Sequence, residues 1–215
     1  MQVLFVSAAL TRSKRAANLE AEVVKGMVGM IRSRLMSVPR IRFVERNVVN
    51  NPPQLIDSCF VNAQRLPQSS HTLQQKERLR ESDKMVSEVL SSQAIVLGCP
   101  VYSYGIPLPL LVWLQSIQRQ GKTFELADGK RYGRLHDKMV LAVMSELDAG
   151  GSASARQLDY LREKFALLGV RKFEVVRQLL DRQSTPSRTP TPVTLEALEL
   201  QARRLRMHLQ EAAYG

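Results

Sequence analysis

The chain has 215 residues, 44% of them apolar, which is enough for one sizeable core, so a single domain over 1–215 is expected. No apolar run reaches the ~18 residues of a membrane span, and the N-terminal apolar stretch has no basic segment before it; the reading is a cytoplasmic protein with no membrane partner and no signal peptide. The balance of 31 basic against 20 acidic residues gives +11, but the charges are dispersed and no helix-turn-helix, zinc-finger or aromatic-plus-basic platform accompanies them, which argues against nucleic acid as the main partner.

Five short β-type runs are expected, at 3–7, 41–45, 94–99, 138–144 and 172–177. The first, third and fourth are nearly all apolar, as parallel strands buried on both faces are. The second and fifth alternate more, as strands nearer an edge do. Helical patterns lie between them. Residues 16–35 carry Leu19, Val23, Met27, Met30 and Ile31 on one stripe. The run 72–90 opens with Thr72 and Gln75, a capping-box pair. Further helices are expected at 106–117 and 153–168, the second stopped by Gly169. The Ser/Thr/Pro-rich stretch 184–192 reads as a loop, after which Thr194 is placed to cap a last helix, 194–212, with Leu195, Leu198, Leu205 and Leu209 as its apolar face.

Alternating strands and helices imply right-handed crossovers and an α/β fold, a doubly wound five-stranded parallel sheet with helices on both faces. The strand order that suits it is 2-1-3-4-5, with a ligand crevice beyond the strand ends at the switch between strands one and three.

Three loops fall at that crevice. After strand one comes a basic, hydroxyl-bearing loop, Thr11, Arg12, Ser13, Lys14 and Arg15, with no GxGxxG; ahead of a helix N-terminus it suits a terminal phosphate, or is an ordinary solvated loop. After strand three, Pro100, Val101, Tyr102, Ser103, Tyr104, Gly105 and Pro107 suit a turn that walls a flat polar ring, or one whose tyrosines only pack. After strand four, Ser145 and Glu146 lead to Gly150 and Gly151, which allow a close backbone approach to a ligand. Cys59 and Cys99 have no CxxC spacing, so no disulfide or metal site is expected. His71, His136 and His208 have no catalytic partner and are read as surface residues.

These marks resemble the FMN-dependent NADH-azoreductase and NAD(P)H-quinone oxidoreductase family, a flavodoxin-like family, along nearly the whole chain to about Leu180. The similarity is carried by Pro100-Val101-Tyr102-Ser103-Tyr104 after strand three, Gly121-Lys122-Thr123-Phe124 closing the next helix, Ser82-Asp83 in the long helix, Asn51-Pro52 after strand two, and Leu168-Gly169-Val170 before strand five. It implies FMN as cofactor, NADH or NADPH as co-substrate, two-electron transfer to a quinone, azo, nitro or related acceptor in a ping-pong cycle, and a homodimer that completes each crevice. The flavin carries the chemistry, so no catalytic side chain is expected. The resemblance places Ser7, Ser13, Lys14 and Arg15 around the phosphate, Pro100 to Tyr104 around the ring, and Ser145, Glu146, Gly150 and Gly151 at its polar edge. The segment 52–67 and the region of Trp113 and Phe124 are the expected dimer surface. Three departures stand out: Lys14-Arg15-Ala16 occupies the family's Ser-x-Ser, Ser103 replaces an asparagine, and Glu146 replaces an arginine. They favour an alternative in which a specialised descendant binds flavin weakly or not at all and uses the crevice for a different, non-redox or biosynthetic reaction.

Overall fold

Three continuous apolar runs form the inner strands of one sheet, and two more mixed runs form its edges. The computed structural model describes residues 1–9, 19–102, 105–147, 152–180 and 189–214. Strands β1 (Gln2–Ser7), β2 (Arg42–Asn47), β3 (Ala94–Gly98), β6 (Met139–Leu147) and β7 (Lys172–Leu180) form one sheet in the order β2-β1-β3-β6-β7, with every neighbouring pair parallel. Counted within this sheet, that is the expected 2-1-3-4-5 order. The last two strands run three residues further than expected, because β6 and β7 stay in register from Met139↔Lys172 to Leu147↔Leu180.

Helices cover both faces. On one face α1 (Leu19–Leu35) and α6 (Pro192–Tyr214) bury Val23, Met27, Ile31, Leu198 and Leu205 against Val3, Val96 and Leu141. On the other, α3 (Leu73–Ser91), α4 (Leu108–Ser116) and α5 (Ser152–Leu167) bury Met85, Val89, Trp113 and Phe165 against Leu4, Ile95 and Val140. The Thr72–Gln75 capping box forms in both directions, at 3.2 and 3.0 Å. Gly169 ends α5 at φ 93°, with Val170 N–H donating to Phe165 O and Gly169 N–H to Ala166 O, a Schellman closure. Gly133 lies against this turn so closely that a Cβ on it would stand 2.0 Å from the Leu168 carbonyl carbon.

Several expectations are corrected. The last helix starts at Pro192, and its cap is Thr191, whose Oγ1 accepts from Thr194 N–H at 3.3 Å; Thr194 is buried in the first turn, while Leu195 is partly exposed. The segment after β2 contains a short helix, α2 (Ser58–Arg65), capped by Asp57, whose Oδ1 accepts from Phe60 N–H at 2.7 Å. Phe60 and Ala63 pack on Leu79 of α3, so this part of 52–67 is buried within the chain rather than offered as a contact surface. Trp113 is wholly buried and Phe124 nearly so, because both pack into the main core beside Phe165 and Leu168. An unforeseen hairpin, β4 (Phe124–Ala127) and β5 (Lys130–Gly133), turns at Asp128 and Gly129 with φ 51° and 71°. His208 is buried, with Nε2 3.0 Å from Gln93 O, and His71 Nε2 lies 2.8 Å from Ala63 O, so neither is a free surface histidine. Among the described residues no helix is long and apolar enough to cross a membrane.

Candidate functional site

The ends of β1, β3 and β6 converge because their pairing continues past the formal strands. Ser7 is in register with Gly98, and Ala8 N–H donates to Gly98 O at 2.8 Å. Beyond β3, Cys99 N–H donates to Val143 O at 2.9 Å and Val101 N–H to Ser145 O at 2.8 Å, and Val101 bridges to Glu146. Thus Pro100 and Val101 extend the sheet edge and place Ser145 and Glu146 beside them. Tyr102 O accepts from Gly105 N–H at 2.9 Å, and Gly105 has φ 91°, which closes a tight turn ahead of Pro107 and α4.

Six of the sequence-derived residues therefore share one end of the sheet: Ser7, Pro100, Val101, Tyr102, Ser145 and Glu146. Ser13, Lys14, Arg15, Ser103, Tyr104, Gly150 and Gly151 lie outside the described residues. Ser7 is half-buried, and its hydroxyl accepts weakly from Ala9 N–H at 3.4 Å. Ser145 is fully buried and its hydroxyl donates to Glu20 O at 2.7 Å, which ties β6 to the first turn of α1. Glu146 and Val101 are buried, while Tyr102 is half-buried.

Two buried amides at this end were not picked out from the sequence. Gln157 of α5 donates from Nε2 to Cys99 Sγ at 3.1 Å, and Gln178 of β7, in register with Ser145, donates to Thr189 O at 3.4 Å. Gln157 Oε1 and Gln178 Oε1 have no hydrogen-bond partner among the described residues. Both carried a signal: Gln157 lies on the helical stripe of Leu161, Phe165 and Leu168, and Gln178 on the inward alternation of Val176 and Leu180. Both stand out, because buried polar atoms are normally paired. Burial pushes the Cys99 thiol up to about 12, with the Gln157 contact opposing only in part, so Cys99 is no thiolate nucleophile.

The α4 wall is anchored at its far end. Thr123 Oγ1 donates to Ile117 O at 2.6 Å and accepts from Arg119 N–H at 2.9 Å. Ser82 Oγ donates to Ser116 O at 2.6 Å and accepts from Arg119 Nη1 at 2.8 Å, while Asp83 pairs with both Arg119 and Lys122 at 2.8 Å. Ser82-Asp83 and Gly121–Phe124, distant in sequence, are thus two halves of one clamp between α3 and α4.

Comparison with known proteins bears on the fold. The family described as Flavodoxin-like fold matches residues 33–200. An FMN-dependent NADH:quinone oxidoreductase of Idiomarina loihiensis is 40% identical over 87 residues, covering 40% of this chain and 36% of that protein. Another, from Jannaschia sp., is 30% identical over 129 residues, covering 58% of this chain and 65% of that protein. The match thus spans about a third and about two thirds of the lengths of these two relatives. The crystal structure of an FMN-dependent NADH-azoreductase from Bacillus anthracis in complex with FMN superposes with a TM-score of 0.74 at 14% identity, over 95% of this chain and 99% of that one, which shows a shared fold. With most of its length matched, the chain belongs to the flavodoxin-like fold family, in the company of proteins named as quinone oxidoreductases and azoreductases.

Proposed function

We propose that this protein is an FMN-dependent NAD(P)H oxidoreductase that passes two electrons to a quinone, azo, nitro or related conjugated acceptor. The observation that supports the reading is that Ser7, Val101 and Glu146 lie at one end of the sheet, in a chain whose relatives are named for FMN-dependent quinone reduction. The crevice fits such a group in that its wall, Pro100 to Tyr102, is apolar and aromatic.

FMN, when bound, supplies the two-electron chemistry. The chain binds, orients and shields. Pro100, Val101, Tyr102, Ser103 and Tyr104 would wall the flavin ring, and Ser145, Glu146, Gly150 and Gly151 would meet its polar edge. Ser7, Ser13, Lys14 and Arg15 would hold the phosphate. Glu20 and Glu22 in the first turn of α1 already complement the positive helix end, so the phosphate would rest on the two cations rather than on the helix alone.

The same reading has the protein working as a cytoplasmic homodimer, in which a second subunit roofs the crevice. Leu55, Leu73 and Leu108 support this: they are 65%, 85% and 61% exposed around α2, α3 and the start of α4. The loss of the phosphate-loop hydroxyls favours one rival, a descendant that no longer holds flavin and uses the crevice for another reaction. Initial velocities of NADH oxidation by a benzoquinone decide between them. Parallel double-reciprocal lines that depend on FMN fit the ping-pong reading; turnover without flavin, or none with it, contradicts it.

A further inference from the structure

The outward face of α6 carries a line of apolar residues. Val193, Leu200 and Met207 are 77%, 49% and 60% exposed, and they stand at seven-residue spacing. A helix drifts only ~20° over seven residues, so the three side chains leave α6 in nearly the same direction. The core does not need them. Leu198, Ala202, Leu205 and Leu209, on the opposite side of the helix, already pack on Val3, Val96 and Leu141. Leu195 lies off this line, in a crease with Met30 and Arg34 of α1.

The two flanks of the line differ in charge. On the flank nearer α1, Glu196 and Arg203 are exposed, and among the described residues neither forms an ion pair. Their neighbours there, Arg34 and Glu199, are paired with each other. On the flank nearer β7, Ala197 is half-buried and Arg204 is engaged with Glu174 at 2.9 Å.

This arrangement is self-complementary. In an antiparallel helix pair about a twofold axis, each residue meets the one equally far beyond the axis, and like flanks face each other. With the axis at Leu200, Leu200 meets its own copy and Val193 meets the partner's Met207. Glu196 then lies beside the partner's Arg203, and Arg203 beside the partner's Glu196. A parallel pair would instead set Arg203 beside the partner's Arg204, a like charge. Exposed ion pairs add little affinity, but they fix direction.

We propose that α6 is a twofold contact surface for a second copy of this chain, packed antiparallel, with Val193, Leu200 and Met207 as its apolar line and two Glu196–Arg203 pairs setting its direction. The surface lies on the α1–α6 side of the sheet, away from α2, α3 and α4, so it is separate from any subunit that roofs the strand-end crevice and does not rest on that reading. The line is only ~21 Å long at 1.5 Å per residue, so the contact is small and engages above roughly 100 µM.

Sedimentation of the full chain from micromolar to about 500 µM tests this. One association step above roughly 100 µM is expected: monomer to dimer in a chain with no other contact, dimer to tetramer in one that shares its crevice. Glu196→Arg and Arg203→Glu should each weaken the step roughly tenfold or more, because like charges then meet twice. The combined Glu196→Arg/Arg203→Glu chain should restore it, and so should an equimolar mixture of the two single variants. All four positions of charge and contact are exposed, so melting temperature should hold. Leu200→Cys should cross-link to its own copy under mild oxidation, beyond a wild-type control for Cys59, while Val193→Cys should do so only when mixed with Met207→Cys. The proposal is overturned by absence of the step, by single variants that leave it unchanged, by further loss rather than rescue in the combined variant, or by self-cross-linking of Val193→Cys as ready as that of Leu200→Cys.

Discussion

Replacing Thr123 by valine should destabilise the protein more than replacing it by serine, against the order that apolar burial alone would give. Thr123 is fully buried, and its one hydroxyl serves two backbone groups at the end of α4: the Ile117 carbonyl at 2.6 Å and the Arg119 N–H at 2.9 Å. Valine has the same shape and opens no cavity, yet it strands both. Each buried group left unsatisfied costs about 1–3 kcal/mol, and some relaxation is expected, so Thr123→Val should lose about 2–4 kcal/mol. Thr123→Ser keeps the hydroxyl and removes one methyl, for about 1 kcal/mol. For a domain of this size each kcal/mol moves Tm by ~2–4 °C, so valine should lower it by roughly 4–16 °C and serine by roughly 2–4 °C. Thermal unfolding followed by circular dichroism measures both. A valine variant as stable as wild type, or more stable than the serine variant, would refute the claim that this hydroxyl clamps α4.

Three further outcomes follow from the structure and the proposed site. Lys14→Ala with Arg15→Ala should weaken FMN by about 1.5–3 kcal/mol per lost contact and riboflavin hardly at all, as read by flavin fluorescence; equal weakening of the two flavins removes these residues from the phosphate site. Iodoacetamide at pH 8 should label Cys59, which is half-buried, and spare Cys99, whose burial keeps its thiol protonated until about 12; mass spectrometry should find one adduct on the native chain and two on the unfolded chain, and rapid native labelling of Cys99 would contradict the buried pair with Gln157. Sedimentation at micromolar concentration should give a dimer, and a monomer with full flavin-dependent turnover would remove the shared crevice.

The sheet was legible because its inner strands are continuous apolar runs, and its order because strands alternate with helices. Strand ends were less so. Ser145 and Glu146 look like loop residues, yet pairing with Gln178 and Leu179 keeps them in β6. The helix α2 was missed because eight residues form no stable helix alone; docking of Phe60 on Leu79 and the Asp57 cap make it. That docking also removed Phe60 from the expected dimer surface. The β4–β5 hairpin announced only its turn, Asp128-Gly129, since its four-residue strands are mostly exposed and have no apolar alternation. At the site, the strand-end residues could be named from position alone. Gln157 and Gln178 could not, because a polar residue on an apolar stripe gains meaning only once its neighbours are known to be buried.

The central claim is that the crevice holds FMN, and it is tested most directly by loading the purified chain with flavin, releasing the bound cofactor by heat and identifying it by chromatography. The account predicts FMN in stoichiometric amount with the chain, and no FAD, because the loop after β1 is short and basic with no GxGxxG dinucleotide signature. Recovery of FAD alone, or a chain that takes up no flavin at all, would contradict it.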